Sequence, residues 1–167
     1  RVALIPYSRR PSKNWPESYF SQVARELREH ANASLYLIGS REEAAGCARL
    51  AADLKGRVAN LAGALTLPQL GGLLQTMNLV IANDTGPIHM AAALGVPVLA
   101  LFGPTDPRRT GPYGAGHGVL AGRLRCQPCF AQRCRFRDGS CLRALAPERV
   151  ATLALDLLRA AHPAAER

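Results

Sequence analysis

Short apolar runs alternate with stretches of helical period along most of the chain, and this alternation restricts the fold more than any other feature. Residues 2–6 form an apolar run closed by Pro6, and over residues 18–30 Phe20, Val23, Ala24 and Leu27 fall at helical spacing after Pro16. The unit recurs as a strand at 34–38 and a helix at 42–54, then as 58–61 with 68–75, and as 79–82 with 87–94. A run at 97–102 follows that reads as buried on both faces. Strands alternating with helices in this way predict a parallel sheet covered on both sides, a doubly wound α/β domain. Ligands of such sheets sit at the carboxyl ends of the strands, which directs attention to the loops at 7–15, 39–43, 83–86 and 103–116. A helix over 147–161, with Val150, Leu153, Ala154, Leu157 and Leu158 on one face, is expected to pack on something apolar.

The chain has 167 residues, enough for one domain with its own core. A hydrophobic fraction of 48% with 20% charged residues excludes the disordered class, and no apolar run reaches the roughly 20 residues of a membrane helix. The first residues read at once as a buried strand without an initiator Met, so the chain is expected to be an excised piece. A net charge of +9 predicts attraction to polyanions without choosing among nucleic acid, membrane and phosphorylated ligand. An odd count of five cysteines argues for a reducing cytoplasm over a secreted disulfide framework.

Three loops carry candidate chemistry. Asn83-Asp84-Thr85-Gly86-Pro87 follows a buried strand and opens a helix, so its amides and the helix dipole form an anion site. Thr85 adds a hydroxyl, Gly86 lets a ligand approach the backbone, and Asp84 suits sugar hydroxyls; alternatively Asp84 or Thr85 simply caps the helix. Arg9, Arg10 and Lys13 either hold a diphosphate or form a solvated basic turn. Glu42 and Glu43 either accept from ribose hydroxyls or stabilise a helix dipole as first-turn acids. His89, with no partner acid evident, reads as packed or capping.

Taken together, Lys13-Asn14-Trp15-Pro16, Gly39-Ser40-Arg41-Glu42-Glu43, the stretch from Asn83 to Pro97 and Phe102-Gly103-Pro104-Thr105-Asp106-Pro107 resemble the ADP-heptose:lipopolysaccharide heptosyltransferases of glycosyltransferase family 9. The cysteine segment ending Cys141-Leu142-Arg143, followed by Pro147-Glu148-Arg149-Val150, looks more like the second heptosyltransferase than the first. The resemblance implies the carboxyl-terminal, Rossmann-like domain of a GT-B enzyme, residues 1–167 being the sugar-nucleotide domain and the acceptor domain absent. It implies an inverting, metal-independent transfer of heptose from ADP-heptose to the lipopolysaccharide core by a cytoplasmic enzyme peripheral to the inner membrane. Lys13 would meet the diphosphate, Glu42 or Glu43 the ribose, Asp84 the heptose hydroxyls, and Thr85 and Gly86 the phosphates. His89, Thr105 and Asp106 complete the implied donor set. The catalytic base belongs to the amino-terminal domain in this family, so no catalytic residue is assigned here and the chain alone is expected not to turn over.

Between them, residues 123–143 form a Cys/Arg-rich segment. Cys126, Cys129, Cys134 and Cys141 are enough thiols for a structural zinc, though without two-knuckle spacing; disulfides and free thiols are the alternatives. Cys47 reads as simply buried. Arg123, Arg125, Arg133, Arg135, Arg137 and Arg143, offset by Asp138, imply an anionic partner: the phosphorylated acceptor or the inner-leaflet surface, where each nearby cation adds about 1 kcal/mol. The rivals are a nucleic-acid module stacking bases on Phe130 and Phe136, against which the rest of the chain speaks, and a non-enzymatic nucleotide-binding domain.

Overall fold

The computed structural model describes residues 1–136 and 139–161. Among these residues six parallel strands form one sheet in the order β3-β2-β1-β4-β5-β6: β1 (Val2–Ile5), β2 (Leu35–Leu37), β3 (Val58–Asn60), β4 (Leu79–Asn83), β5 (Val98–Phe102) and β6 (Gly118–Ala121). The helices are α1 (Glu17–Ala31), α2 (Ala44–Leu54), α3 (Leu67–Gln75), α4 (Gly86–Ala93), α5 (Pro107–Thr110), α6 (Ser140–Arg143) and α7 (Pro147–Ala161). The doubly wound expectation holds. β1, β4 and β5 are buried along their whole lengths because both faces are covered, which is why they read as unbroken apolar runs.

Alternation along each strand sorts side chains between two cores. Val2, Leu4, Leu79, Ile81, Leu99 and Leu101 face the layer that contains α1, α2 and α7, where Phe20, Val23, Leu27, Leu50 and Val150 are buried. Ala3, Ile5, Val80, Ala82, Ala100 and Phe102 face α3 and α4, where Leu74, Ile88 and Ala91 are buried. α7 packs on α1, β4 and β6, so its apolar stripe finds the partner that its periodicity demanded.

Local chemistry sets the element ends. α1 stops at Asn32, which takes a left-handed φ of 46° and lets Ala33 N donate to Leu27 O. α3 begins with a reciprocal capping box between Thr66 and Gln69. Two features depart from the sequence reading. β6 is a strand to which the sequence assigns no element, since a four-residue run before Gly122 carries too little pattern; register with β5 creates it. Helix α2 starts at Ala44, so Glu42 lies in the preceding turn and Glu43 at the cap rather than in the first helical turn.

Sheet order reverses between β1 and β4, where strands start out in opposite directions across the sheet. Register pairs Ile5 with Ala82, so the β1–α1 and β4–α4 loops emerge side by side at the carboxyl edge. That switch point is where a crevice must open.

Candidate functional site

Asn83, the last residue of β4, is fully buried and builds the floor of the crevice. Its Nδ2 donates to Pro6 O at 2.7 Å and its Oδ1 accepts from Trp15 N at 3.1 Å, so one side chain fastens both ends of the β1–α1 loop. Trp15 Nε1 in turn donates to Leu142 O and Leu145 O, each at 3.1 Å, which ties α6 to that loop. Ser8 N donates to Asn14 Oδ1 at 2.8 Å, and the 3-10 turn Pro11–Lys13 then aims Lys13 across the crevice.

Lys13 Nζ lies 2.5 Å from Asp84 Oδ2, and Thr105 Oγ1 donates to the same oxygen at 2.6 Å. Asp84 is 5% exposed and Lys13 15%, so the pair is shielded from water and positions both side chains. Neither Asp84 nor Thr85 caps α4: Thr85 holds the cap position in extended conformation without a side-chain hydrogen bond. The capping alternative therefore falls, and the amino terminus of α4 faces the crevice with its dipole uncapped. A Cβ on Gly86 would meet nothing within 4 Å, so its lack of a side chain leaves the approach open rather than serving a turn.

A cleft of about 560 Å³ gathers Lys13, Asp84, Thr85, Gly86, His89 and Thr105 with Arg9 and Arg10. His89 is solvent-exposed on the cleft wall, not packed. Asp106 is used structurally: it caps α5 by accepting from Arg108 N at 3.0 Å and pairs with the Arg108 guanidinium, which lowers its carboxyl below the ordinary range. Glu42 and Glu43 do not line the cleft. They stand after β2, where Glu43 accepts from Ser40 N at 2.7 Å, and the Ser40 hydroxyl draws the exposed Glu42 carboxyl downward.

The four cysteines of the expected set stand apart from this cleft, while a neighbour in their segment that the sequence did not single out for this site lines it. Cys126, Cys129, Cys134 and Cys141 line a separate cavity of about 340 Å³ with Ser12 and Pro104, and no disulfide joins them. Among the described residues no three His, Cys, Asp or Glu side chains have the arrangement of a metal-ligand set. Burial pushes the Cys141 thiol up, with Cys134, Cys126 and Cys129 adding to it. Arg137 and Asp138 lie outside the described residues. Hydrogen bonds tether the segment to the crevice: Ser12 Oγ donates to Ala131 O at 2.7 Å, Gln127 Nε2 donates to Gly103 O, and Cys129 N and Phe130 N both donate to Pro104 O at 3.0 and 2.8 Å.

Phe130 is thereby held at a left-handed φ of 53°, a conformation that costs a bulky residue about 1–3 kcal/mol. It is 41% exposed, lines the cleft, and carries the Arg109 guanidinium 5.4 Å from its ring centroid. Its signal in sequence was only an aromatic among cysteines; the tether that brings it to the cleft is visible in three dimensions alone.

Strand order, the crevice at the switch point and the uncapped α4 terminus define the class: an α/β domain built to receive an anionic ligand at the carboxyl edge of its sheet. Within that class the chain belongs to glycosyltransferase family 9 (heptosyltransferase), whose family model matches residues 1–139. It is 34% identical over 155 residues to lipopolysaccharide heptosyltransferase 1 of Pseudomonas aeruginosa, covering 84% of this chain and 43% of that protein. It is 31% identical over 155 residues to lipooligosaccharide heptosyltransferase 2 of Campylobacter jejuni, covering 90% of this chain and 48% of that protein. Among solved structures, the ADP-heptose lps heptosyltransferase II of E. coli superposes with a TM-score of 0.80 at 27% identity over 94% of this chain and 46% of that one. The chain spans about half the length of the curated relatives it matches. No helix among the described residues is long and apolar enough to cross a membrane.

Proposed function

We propose that this chain is the carboxyl-terminal, donor-binding half of a heptosyltransferase that moves heptose from ADP-heptose to the inner core of lipopolysaccharide. The observation that carries the reading is the Lys13–Asp84–Thr105 cluster beneath the uncapped terminus of α4, at the switch point of the sheet. The names borne by the relatives supply the sugar and the acceptor.

The departing ADP gains charge on its diphosphate as the glycosidic bond breaks. Lys13 and the amide of Gly86 stabilise that charge without a divalent metal; Pro87 has no N–H to offer, and the Ile88 amide is taken by Thr85 O. Both side-chain contacts on Asp84 fall on Oδ2, and Oδ1 accepts from the sugar hydroxyls. Thr85 and Gly86 flank the phosphates, and Glu42 or Glu43 takes the ribose to the β2 side of them. His89 and Thr105 border the sugar end. The acceptor and the base that deprotonates its hydroxyl come from the amino-terminal domain, and the exposed arginines serve the phosphorylated acceptor or the inner leaflet of a Gram-negative-type bacterium. The setting is cytoplasmic.

Calorimetric titration of the purified chain with ADP-heptose, ADP and UDP tests the reading. Preference for the adenine ligands, with a further gain from the heptose, is expected. Equal binding of ADP and UDP, or no gain from the sugar, would overturn it.

A further inference from the structure

Every element that lines the cleft lies at or beyond β1 on one side of the sheet. Its walls come from the loops after β1, β4 and β5 and from the segment that follows β6, with nothing from the loops after β2 or β3. A ligand whose diphosphate sits between Lys13 and α4, with its nucleoside toward Glu42 and Glu43 after β2, therefore projects its remaining group toward β5. Phe130 and Arg109 stand there. This placement rests on the donor reading above.

Phe130 is an odd residue to find at that point on grounds of stability. It is 41% exposed, so it contributes little to either core, and it adopts φ 53°, which glycine would adopt without strain. The backbone nevertheless holds it in place through the two hydrogen bonds to Pro104 O, from the loop that also carries Thr105. A strained, exposed aromatic fixed on the wall of a cleft is kept for what it touches. Its ring offers an apolar face suited to the C–H face of a pyranose, and Arg109, stacked on the ring, offers donors to hydroxyls at its edge.

We infer that Phe130, with Arg109 laid over it, is a specificity-determining wall of the donor-sugar subsite, contacting the transferred sugar and not the nucleotide.

Titrations of wild type, Phe130→Gly and Phe130→Tyr with ADP-heptose and ADP, each with a thermal melt, test this. Phe130→Gly is expected to lose about three- to tenfold in ADP-heptose affinity, the size of an aromatic contact, while ADP affinity stays within twofold and the melting temperature does not fall. Phe130→Tyr, which keeps the ring, is expected to retain the wild-type preference. Unchanged ADP-heptose binding in Phe130→Gly, or an equal loss for both ligands, overturns the inference while leaving the donor reading intact. A wild-type chain that binds ADP-heptose no better than ADP removes the donor reading and the inference together.

Discussion

Lys13 Nζ and Asp84 Oδ2 stand 2.5 Å apart although 71 residues separate them in the chain. The contact exists because β1 and β4, far apart in sequence, are neighbours in the sheet, and because their loops leave it at the same level. Each residue has a second duty. Asp84 keeps Lys13 extended over the crevice, and Lys13 gives a carboxylate that is 5% exposed a cationic partner.

Replacing Lys13 with alanine should weaken ADP binding by about ten- to hundredfold, the range of a lost charged hydrogen bond, and adenosine binding hardly at all. The same variant should melt earlier, since Asp84 is left with Thr105 alone. Titration with both ligands decides the matter. Equal losses would remove the diphosphate role.

Asp84→Asn keeps an oxygen for Thr105 and for Lys13 but gives up the charge. ADP affinity is expected to stay within about threefold and ADP-heptose affinity to fall about tenfold or more, because hydroxyl donors bind a carboxylate more strongly than an amide. Parallel losses would make Asp84 a positioning residue for Lys13 and nothing more.

Much of this arrangement was legible beforehand, and the reasons are specific. Buried parallel strands write unbroken apolar runs such as 79–82, and a strand-to-helix loop such as Asn83-Asp84-Thr85-Gly86 announces an anion site by its composition. Asp84 and Lys13 were therefore named, though nothing in their spacing told of their pairing. Asn83 passed without a role because bridging Pro6 and Trp15 requires knowing that the loop folds back. Phe130 was missed for the site for the same reason, its tether to Pro104 being a contact between distant loops. Asp106 and Glu43 show a further use of acids beside helix starts that composition alone does not reveal: Asp106 accepts from Arg108 N and Glu43 from Ser40 N.

Gly46 and Gly72 make a matched pair of tests for packing. Alanine in place of glycine inside a helix ordinarily gains about 1 kcal/mol. At Gly46 on α2 a Cβ would run into the Tyr7 hydroxyl and ring, whereas at Gly72 on α3 it would meet nothing within 4 Å. Gly72→Ala should therefore stabilise by up to about 1 kcal/mol, and Gly46→Ala should destabilise by about 1–2 kcal/mol as overpacking outweighs propensity. Urea unfolding of both variants checks the contrast; a gain at Gly46 would show that Tyr7 moves aside freely.

Cys47 gives a pH dependence with a defined sign. Buried against the sheet on α2, its thiol is pushed up to about 11 from an ordinary value near 9, by desolvation first and then by Glu43 and Glu17. The native state therefore holds the proton in a range where the unfolded chain has released it. The resulting stability is fully present below about pH 9 and is lost as pH rises toward 11, at up to about 1.4 kcal/mol per pH unit. Other groups titrate in that range too, so the informative quantity is the difference between wild type and Cys47→Ala in urea unfolding at pH 8, 9 and 10. Wild type is expected to lose ground to the variant with each step, and its Cys47 to resist alkylation at pH 8 until denaturant is added. Parallel stability curves would mean that the thiolate is accommodated in the folded core and that burial at this position does not discriminate against charge.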